Sequence, residues 1–170
     1  MQRSNNVLKL TALAVLAVAA LLGSISTAQA TDNVKIAVFQ DVPPGGSSAD
    51  IDFMGPTGFG FVNYSQDDIT GDMHVTASLK GVAPDKTYFI FLVNGPDHTS
   101  ASGFVLIAAL TTNIRGNGTA PVTVPAAVLE FLAFGAESVL GHIDMFAFDD
   151  TGIDFSAGVY VVGGVNWTVP

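Results

Sequence analysis

From Asp72 to Lys80 the side chains alternate without a fault. Met73, Val75, Ala77 and Leu79 fall on one face, and Asp72, His74, Thr76, Ser78 and Lys80 on the other. A period of two belongs to an extended chain, so the segment is a strand with one face packed and one face wet. Val34, Ile36 and Val38 obey the same rule, as do Ile51 and Phe53 opposite Asp50 and Asp52. An α-helix would scatter such residues around its circumference, so the chain is expected to be all-β.

Two segments have the length of a strand but lose the alternation. In Thr87 to Val93, Tyr88, Ile90 and Leu92 share one face, while Phe89, Phe91 and Val93 share the other. In Gly103 to Leu110, Phe104, Leu106 and Ala108 oppose Val105, Ile107 and Ala109. Such strands are either covered on both faces or leave an apolar ridge in water. In a two-layer fold only one face meets the core. The surplus therefore points to contact with a protein partner or to self-association through apolar strand faces.

Turn residues punctuate the strands: Thr70-Gly71, Ala83-Pro84-Asp85-Lys86 with Pro placed for a type I turn, Asn94-Gly95-Pro96-Asp97, Gly116-Asn117-Gly118 and Asp149-Asp150-Thr151-Gly152. Short strands at this spacing make an antiparallel sandwich or barrel, and the longer run Pro43 to Ser48 suits a passage between two sheets. An antiparallel β-sandwich is the expected fold. It carries at most one short helix, near 125–134, where PAAVLEFLAF opens on Pro125 and stops before Gly135. A buried irregular strand fits that short apolar run equally well. Residues 31–170 read as a single domain without repeat or linker. The turn Leu79-x-Gly81-x-x-Pro84-Asp85, feeding an aromatic strand, resembles fibronectin-type and other immunoglobulin-like modules. That resemblance implies architecture and no activity.

Residues 1–30 stand apart. Arg3 and Lys9 precede a run from Leu10 to Leu22 interrupted only by Thr11, and Ala28-Gln29-Ala30 supplies a small-x-small site. This is the pattern of a secretory signal peptide, and the run falls short of the roughly 20 residues of a membrane-spanning helix. Cleavage after Ala30 is expected, with an uncleaved anchor as the alternative. The product is then secreted, extracellular or held in the cell envelope. All 15 acidic residues follow residue 30, against Lys35, Lys80, Lys86 and Arg115, which leaves a net charge of −11. Such a balance argues against nucleic acid and anionic lipid as partners. There is no cysteine, so the core must hold by packing without disulfides. The longest later apolar run, Phe104 to Leu110, is too short to span a membrane.

Catalytic signatures are missing: no Gly-x-Ser-x-Gly, no His-Glu-x-x-His, no phosphate loop and no thiol. The best-spaced polar pair is His142-Ile143-Asp144, whose i, i+2 spacing puts imidazole and carboxylate on one strand face. It offers a metal site or a proton-transfer pair. Two ligands fall short of the three or four of a metal centre, so it reads first as a half-exposed pair near a strand end. Asp149-Asp150-Thr151-Gly152-Ile153-Asp154 is the nearest approach to a calcium loop, through Asp149, Asp150 and Asp154, and Ca²⁺ is the only cofactor the sequence offers. These aspartates read first as turn formers that keep an apolar exported chain soluble. His98, in Gly95 to Ser100, sits in a loop that could bind a sugar or metal but reads first as ordinary solvated turn chemistry, and His74 is assigned no role. Sequons occur at Asn63, Asn117 and Asn166. Three readings follow: a non-catalytic surface module with a structural, adhesive or assembly role; a carbohydrate- or calcium-binding module; and a metal-dependent hydrolase centred on His142 and Asp144.

Overall fold

The computed structural model describes residues 33–47, 58–96 and 101–169. The leader 1–30, the Ile51/Phe53 alternation and the Asp97-His98 loop lie outside the described residues. Within them run β1 (Val34–Val42), β2 (Gly58–Gln66), β3 (Met73–Leu79), β4 (Thr87–Asn94), β5 (Gly103–Thr111), β6 (Gly118–Val124), α1 (Ala126–Ala133), β7 (Ser138–Asp149), the short β8 (Gly152–Ile153), a 3-10 turn (Phe155–Ala157) and β9 (Val159–Thr168). All pairings are antiparallel, in the order β5-β4-β7-β9-β1-β2-β3-β6, with β8 added to β7. The all-β antiparallel expectation therefore holds. No helix among the described residues is long and apolar enough to cross a membrane.

An immunoglobulin-like or fibronectin-like sandwich needs two separately bonded sheets, whereas these strands form one. The end strands β5 and β6 come side by side. Val105 and Ile107 line an apolar seam there with Val122 and Val128. The sheet is thus a nearly closed barrel. Turn residues fix where strands end but not which sheet each joins, which is why the sequence pointed to a sandwich that this single sheet does not confirm. Bulges at Val38/Phe39, Gln40/Val42, Ile90/Phe91 and Gly141/His142 supply the added twist that coils one sheet onto itself. Pro121 lies in β6, at the end of the strand order, where a sheet tolerates proline.

The inward faces follow the alternation. Met73, Val75, Ala77 and Leu79 are buried, together with Val38, Val62, Tyr88, Ile90, Leu92, Ile143, Met145 and Trp167. One end of the barrel is closed by α1, which settles the choice between helix and strand at 125–134. Leu129 and Leu132 are fully buried, and Phe134 ends the helix at φ 51° before Gly135 at φ 87°. The Ala126 N–H donates to the Asp72 carboxylate at 2.9 Å, and Trp167 Nε1 donates to the Leu129 carbonyl at 3.3 Å. Trp167 packs against Gly141, where a Cβ would come within 2.4 Å of its ring. The expected type I turn at Pro84 differs in detail: Asp85 takes φ 53°, a left-handed value that a type I turn does not use.

Where β1 and β9 diverge, side chains replace a strand. The two pair only at Phe39 to Val42 against Val159 to Val161. Further along, the Gln66 amide of β2 accepts from Thr168 N–H at 2.9 Å and donates to Thr168 C=O at 2.7 Å. The Tyr64 hydroxyl accepts from Asn166 N–H at 3.1 Å and donates to the Gly164 carbonyl at 3.4 Å. The backbone groups of Gly164, Asn166 and Thr168 are thereby bonded on the side from which β1 has diverged.

Candidate functional site

The two faces of β4 differ sharply. Tyr88, Ile90 and Leu92 are fully buried in the core, while Phe89 and Phe91 are half-buried on the outside. Register brings more aromatic residues beside them. Phe89 pairs with Phe146 and Phe91 with Asp144 on β7, while Phe91 pairs with Leu106 and Val93 with Phe104 on β5. The rings interlock across three strands. Phe91 stacks on Phe146, with centroids 4.9 Å apart and planes 11° off parallel. Phe91 and Phe104 meet edge to face at 5.9 Å, Phe89 and Phe148 at 5.5 Å, and Phe146 and Phe148 at 5.4 Å. Phe104 is 69% exposed, Leu106 51% and Phe148 50%. At the β5 end the Phe134 ring of α1 lies against Gly103, and Phe131 packs beside Phe134, both exposed.

His142 and Asp144 share this outer face, as their spacing required. Neither is half-exposed: His142 is fully buried and Asp144 is 7% exposed, which corrects the picture of a pair at a wet strand end. His142 Nδ1 donates to the Gly95 carbonyl at 2.6 Å, which turns Nε2 to within 3.4 Å of Asp144 Oδ1. Phe91, Val93, Ala101, Phe104, Phe146 and Asp144 border a hollow of about 230 Å³. Among the described residues the lining is apolar apart from Asp144.

The aspartates of the β7–β9 connection are already engaged. Asp149 accepts from the Thr151 hydroxyl and N–H at 2.6 and 2.7 Å, bonds that hold its carboxyl below the usual value. Asp154 meets Lys86 Nζ at 2.6 Å and accepts from Ser156 N–H and hydroxyl, capping the 3-10 turn. Lys86, then Ser156, holds the Asp154 carboxyl low, and Asp154 in turn raises the Lys86 ammonium. Asp150 is exposed. Lys86 as partner of Asp154 was not visible in the sequence, because the two meet only through tertiary packing.

A larger hollow of about 520 Å³ lies where β1 and β9 diverge, bordered by Val34, Tyr64, Gln66, Ser138, Asn166 and Thr168. Its principal polar groups, on Tyr64 and Gln66, serve the β9 backbone. Among the described residues no three His, Cys, Asp or Glu side chains converge where one metal ion could sit. His74 is exposed, its Nδ1 3.0 Å from the Thr123 hydroxyl. No protein-family model matches the chain, and comparison with curated proteins and with solved structures likewise returns no match.

Proposed function

We infer that this protein is an exported, non-catalytic module that assembles with a second copy of itself through the aromatic outer face of β4, β5 and β7. The observation carrying the inference is the ladder of Phe89, Phe91, Phe104, Phe146 and Phe148, with Phe104 and Phe148 half or more in water. Contiguous exposed apolar surface of this kind marks contact sites. Export is supported by Arg3 and Lys9, the apolar run after them and Ala28-Gln29-Ala30.

Charge favours a like partner at this place. The whole chain carries −9, so two copies repel over most of their surfaces. The ladder's own charged group, Asp144, is buried beside His142. Among the described cations, Lys35 and Lys80 lie over Phe61 on β2, and Lys86 is held by Asp154. The aromatic face, whose one described acidic group is set beside His142, is thus a sparsely charged window in an acidic molecule, where identical copies meet with less repulsion. Rings that pack edge to face and stacked within one copy can do so across a two-fold axis. Phe131 and Phe134 widen the patch toward the ~800 Å² per partner of a stable interface.

Size-exclusion chromatography with light scattering tests the reading. The chain is expected to run as a dimer or larger at micromolar concentration, and Phe104→Ser with Phe148→Ser is expected to run as a folded monomer. A wild-type chain that stays monomeric up to millimolar concentration would falsify it.

A further inference from the structure

We propose that the hollow between the β3–β4 turn (80–86) and the β5–β6 turn (112–117) is a binding site for a phosphate or sulfate group. This goes beyond the assembly reading, because it assigns a small ligand to a place outside the aromatic face. Leu79, Lys80, Asn113, Asn117, Gly118 and Thr119 border the hollow, which has a volume of about 380 Å³ and a mainly polar wall. The turns on either side are tied to each other. Val82 N–H donates to the Gly116 carbonyl at 3.2 Å, Asp85 N–H to the Asn113 carbonyl at 3.3 Å, and Lys86 N–H to the Thr112 hydroxyl at 3.0 Å. The wall therefore holds one shape before a guest arrives, which lowers the cost of binding.

The chemistry follows from which atoms are already used. Asn113 Oδ1 accepts from Arg115 N–H at 2.8 Å and from Asn117 N–H at 3.2 Å, which occupies both its lone pairs. Asn117 Oδ1 accepts from Gly81 N–H at 3.0 Å. A backbone N–H can only donate, so these bonds settle which end of each amide is oxygen and leave the two NH2 groups as donors. The Thr119 hydroxyl meets that of Ser78 at 3.1 Å, and while accepting from Ser78 it can donate to a guest. Lys80 brings three charged donors. Phe61 does not hold it: Lys35 sits over that ring at 4.1 Å, whereas Lys80 is 5.8 Å away, near the outer limit of such a contact. Asp85, the one acidic residue of the two turns, does not border the hollow. An ammonium among neutral donors calls for an anion rich in acceptor oxygens. Lysine binds phosphate as a point charge, and donors from two turns and a strand suit a tetrahedral group better than a flat carboxylate. Lys35 beside the same ring and Arg115 in the same turn add to the local positive field of an otherwise acidic chain.

Heteronuclear NMR titration of the purified chain with phosphate and with sulfate, at fixed pH and ionic strength, reads the site residue by residue. Both ions are expected to shift the side-chain amides of Asn113 and Asn117 and the backbone amide of Thr119 along one saturating curve. Acetate is expected to bind at least about tenfold more weakly, and chloride to leave these signals in place. Lys80→Gln, at an exposed side chain whose loss leaves the fold intact, is expected to weaken phosphate about tenfold. Lys86→Gln, at the cation held by Asp154, is expected to leave phosphate affinity unchanged. Glucose esterified with phosphate or sulfate separates the sources. Tighter binding than the free ion identifies an ester carried on sugar, and weaker binding identifies the free ion. Shifts that rise linearly without saturating, acetate equal to phosphate, or equal losses in Lys80→Gln and Lys86→Gln each overturn the proposal. Light scattering on the same samples keeps the two readings apart. A monomer that binds phosphate removes only the assembly reading, and a dimer that ignores phosphate removes only this one.

Discussion

Phe91 of β4 lies flat on Phe146 of β7, 4.9 Å between centroids, although register pairs Phe91 with Asp144 and Phe146 with Phe89. The stack is therefore diagonal, reaching across the twist of the two strands to cover the space beside Asp144. Phe91 is half-buried and touches Phe104 as well, so Phe91→Ala removes two ring contacts and leaves a gap. The expected loss is about 2 kcal/mol, roughly half that of a fully buried ring. Phe104→Ala, at an exposed ring, is expected to change stability by no more than about 0.5 kcal/mol. Urea denaturation of both variants checks the order, and equal losses would mean that the ladder packs differently.

Assembly through a sparsely charged window in an acidic chain has a salt signature. The attraction is apolar and barely screened, while the opposing repulsion among carboxylates is screened within about 10 Å at 0.1 M salt. Raising ionic strength from low to moderate is expected to tighten the dimer and to lift the thermal midpoint modestly. Sedimentation equilibrium across a salt series reads the first effect and calorimetry the second. Dissociation on adding salt would show that cross-copy ion pairs hold the contact instead.

What the sequence disclosed was local, and what it concealed depended on neighbours. Alternation placed Met73, Val75, Ala77 and Leu79 inside because a strand's period decides the matter residue by residue. The unused apolar side of the Tyr88 and Phe104 strands was legible for the same reason. The i, i+2 spacing of His142 and Asp144 gave their shared face. It could not give their burial, which depends on β7 lying between β4 and β9 and on Gly95 reaching the imidazole. Nor could it bring Phe146 beside Phe91, since strand order follows from long-range pairing that no local pattern records. The single curled sheet was hidden likewise: bulges such as Gly141/His142 carry no composition signal.

The Lys86–Asp154 pair predicts an acid limb in the stability profile. Asp154's folded pKa lies below its ordinary 3.8, chiefly through Lys86, so its contribution is complete above that value. As pH falls through 3.8 the unfolded chain takes up the proton first, and the contribution drains away until the folded carboxyl titrates too. Lys86 is shifted the opposite way, above 10.5, so its share is present below that value and lost as pH rises beyond it. Thermal midpoints measured from pH 7 to 2.5 are expected to fall below pH 4, and to fall less steeply in Asp154→Asn. Parallel curves would assign the limb to other carboxylates, of which Asp67 and Asp149 are also held low.

Gln66 poses the sharpest test of the fold itself. Its amide substitutes for a strand, accepting from and donating to Thr168, while Tyr64 tends Gly164 and Asn166. Gln66→Leu keeps the bulk and removes the amide's bonds to Thr168 and to the Gly71 carbonyl, leaving a backbone N–H and C=O of β9 and one turn carbonyl without their side-chain partner in a poorly hydrated place. The expected loss is about 2 kcal/mol, and its location is specific. Opening at the end of β9 loosens the strand that carries Trp167, whose indole holds α1 through Leu129, so the helix end of the barrel should loosen with it. Amide exchange is expected to accelerate at Thr168 and Asn166 and around Leu129, and to stay unchanged at Val75 and Ala77 on β3. Uniform acceleration over the whole sheet would show that Gln66 acts on global stability and does not pin this one edge.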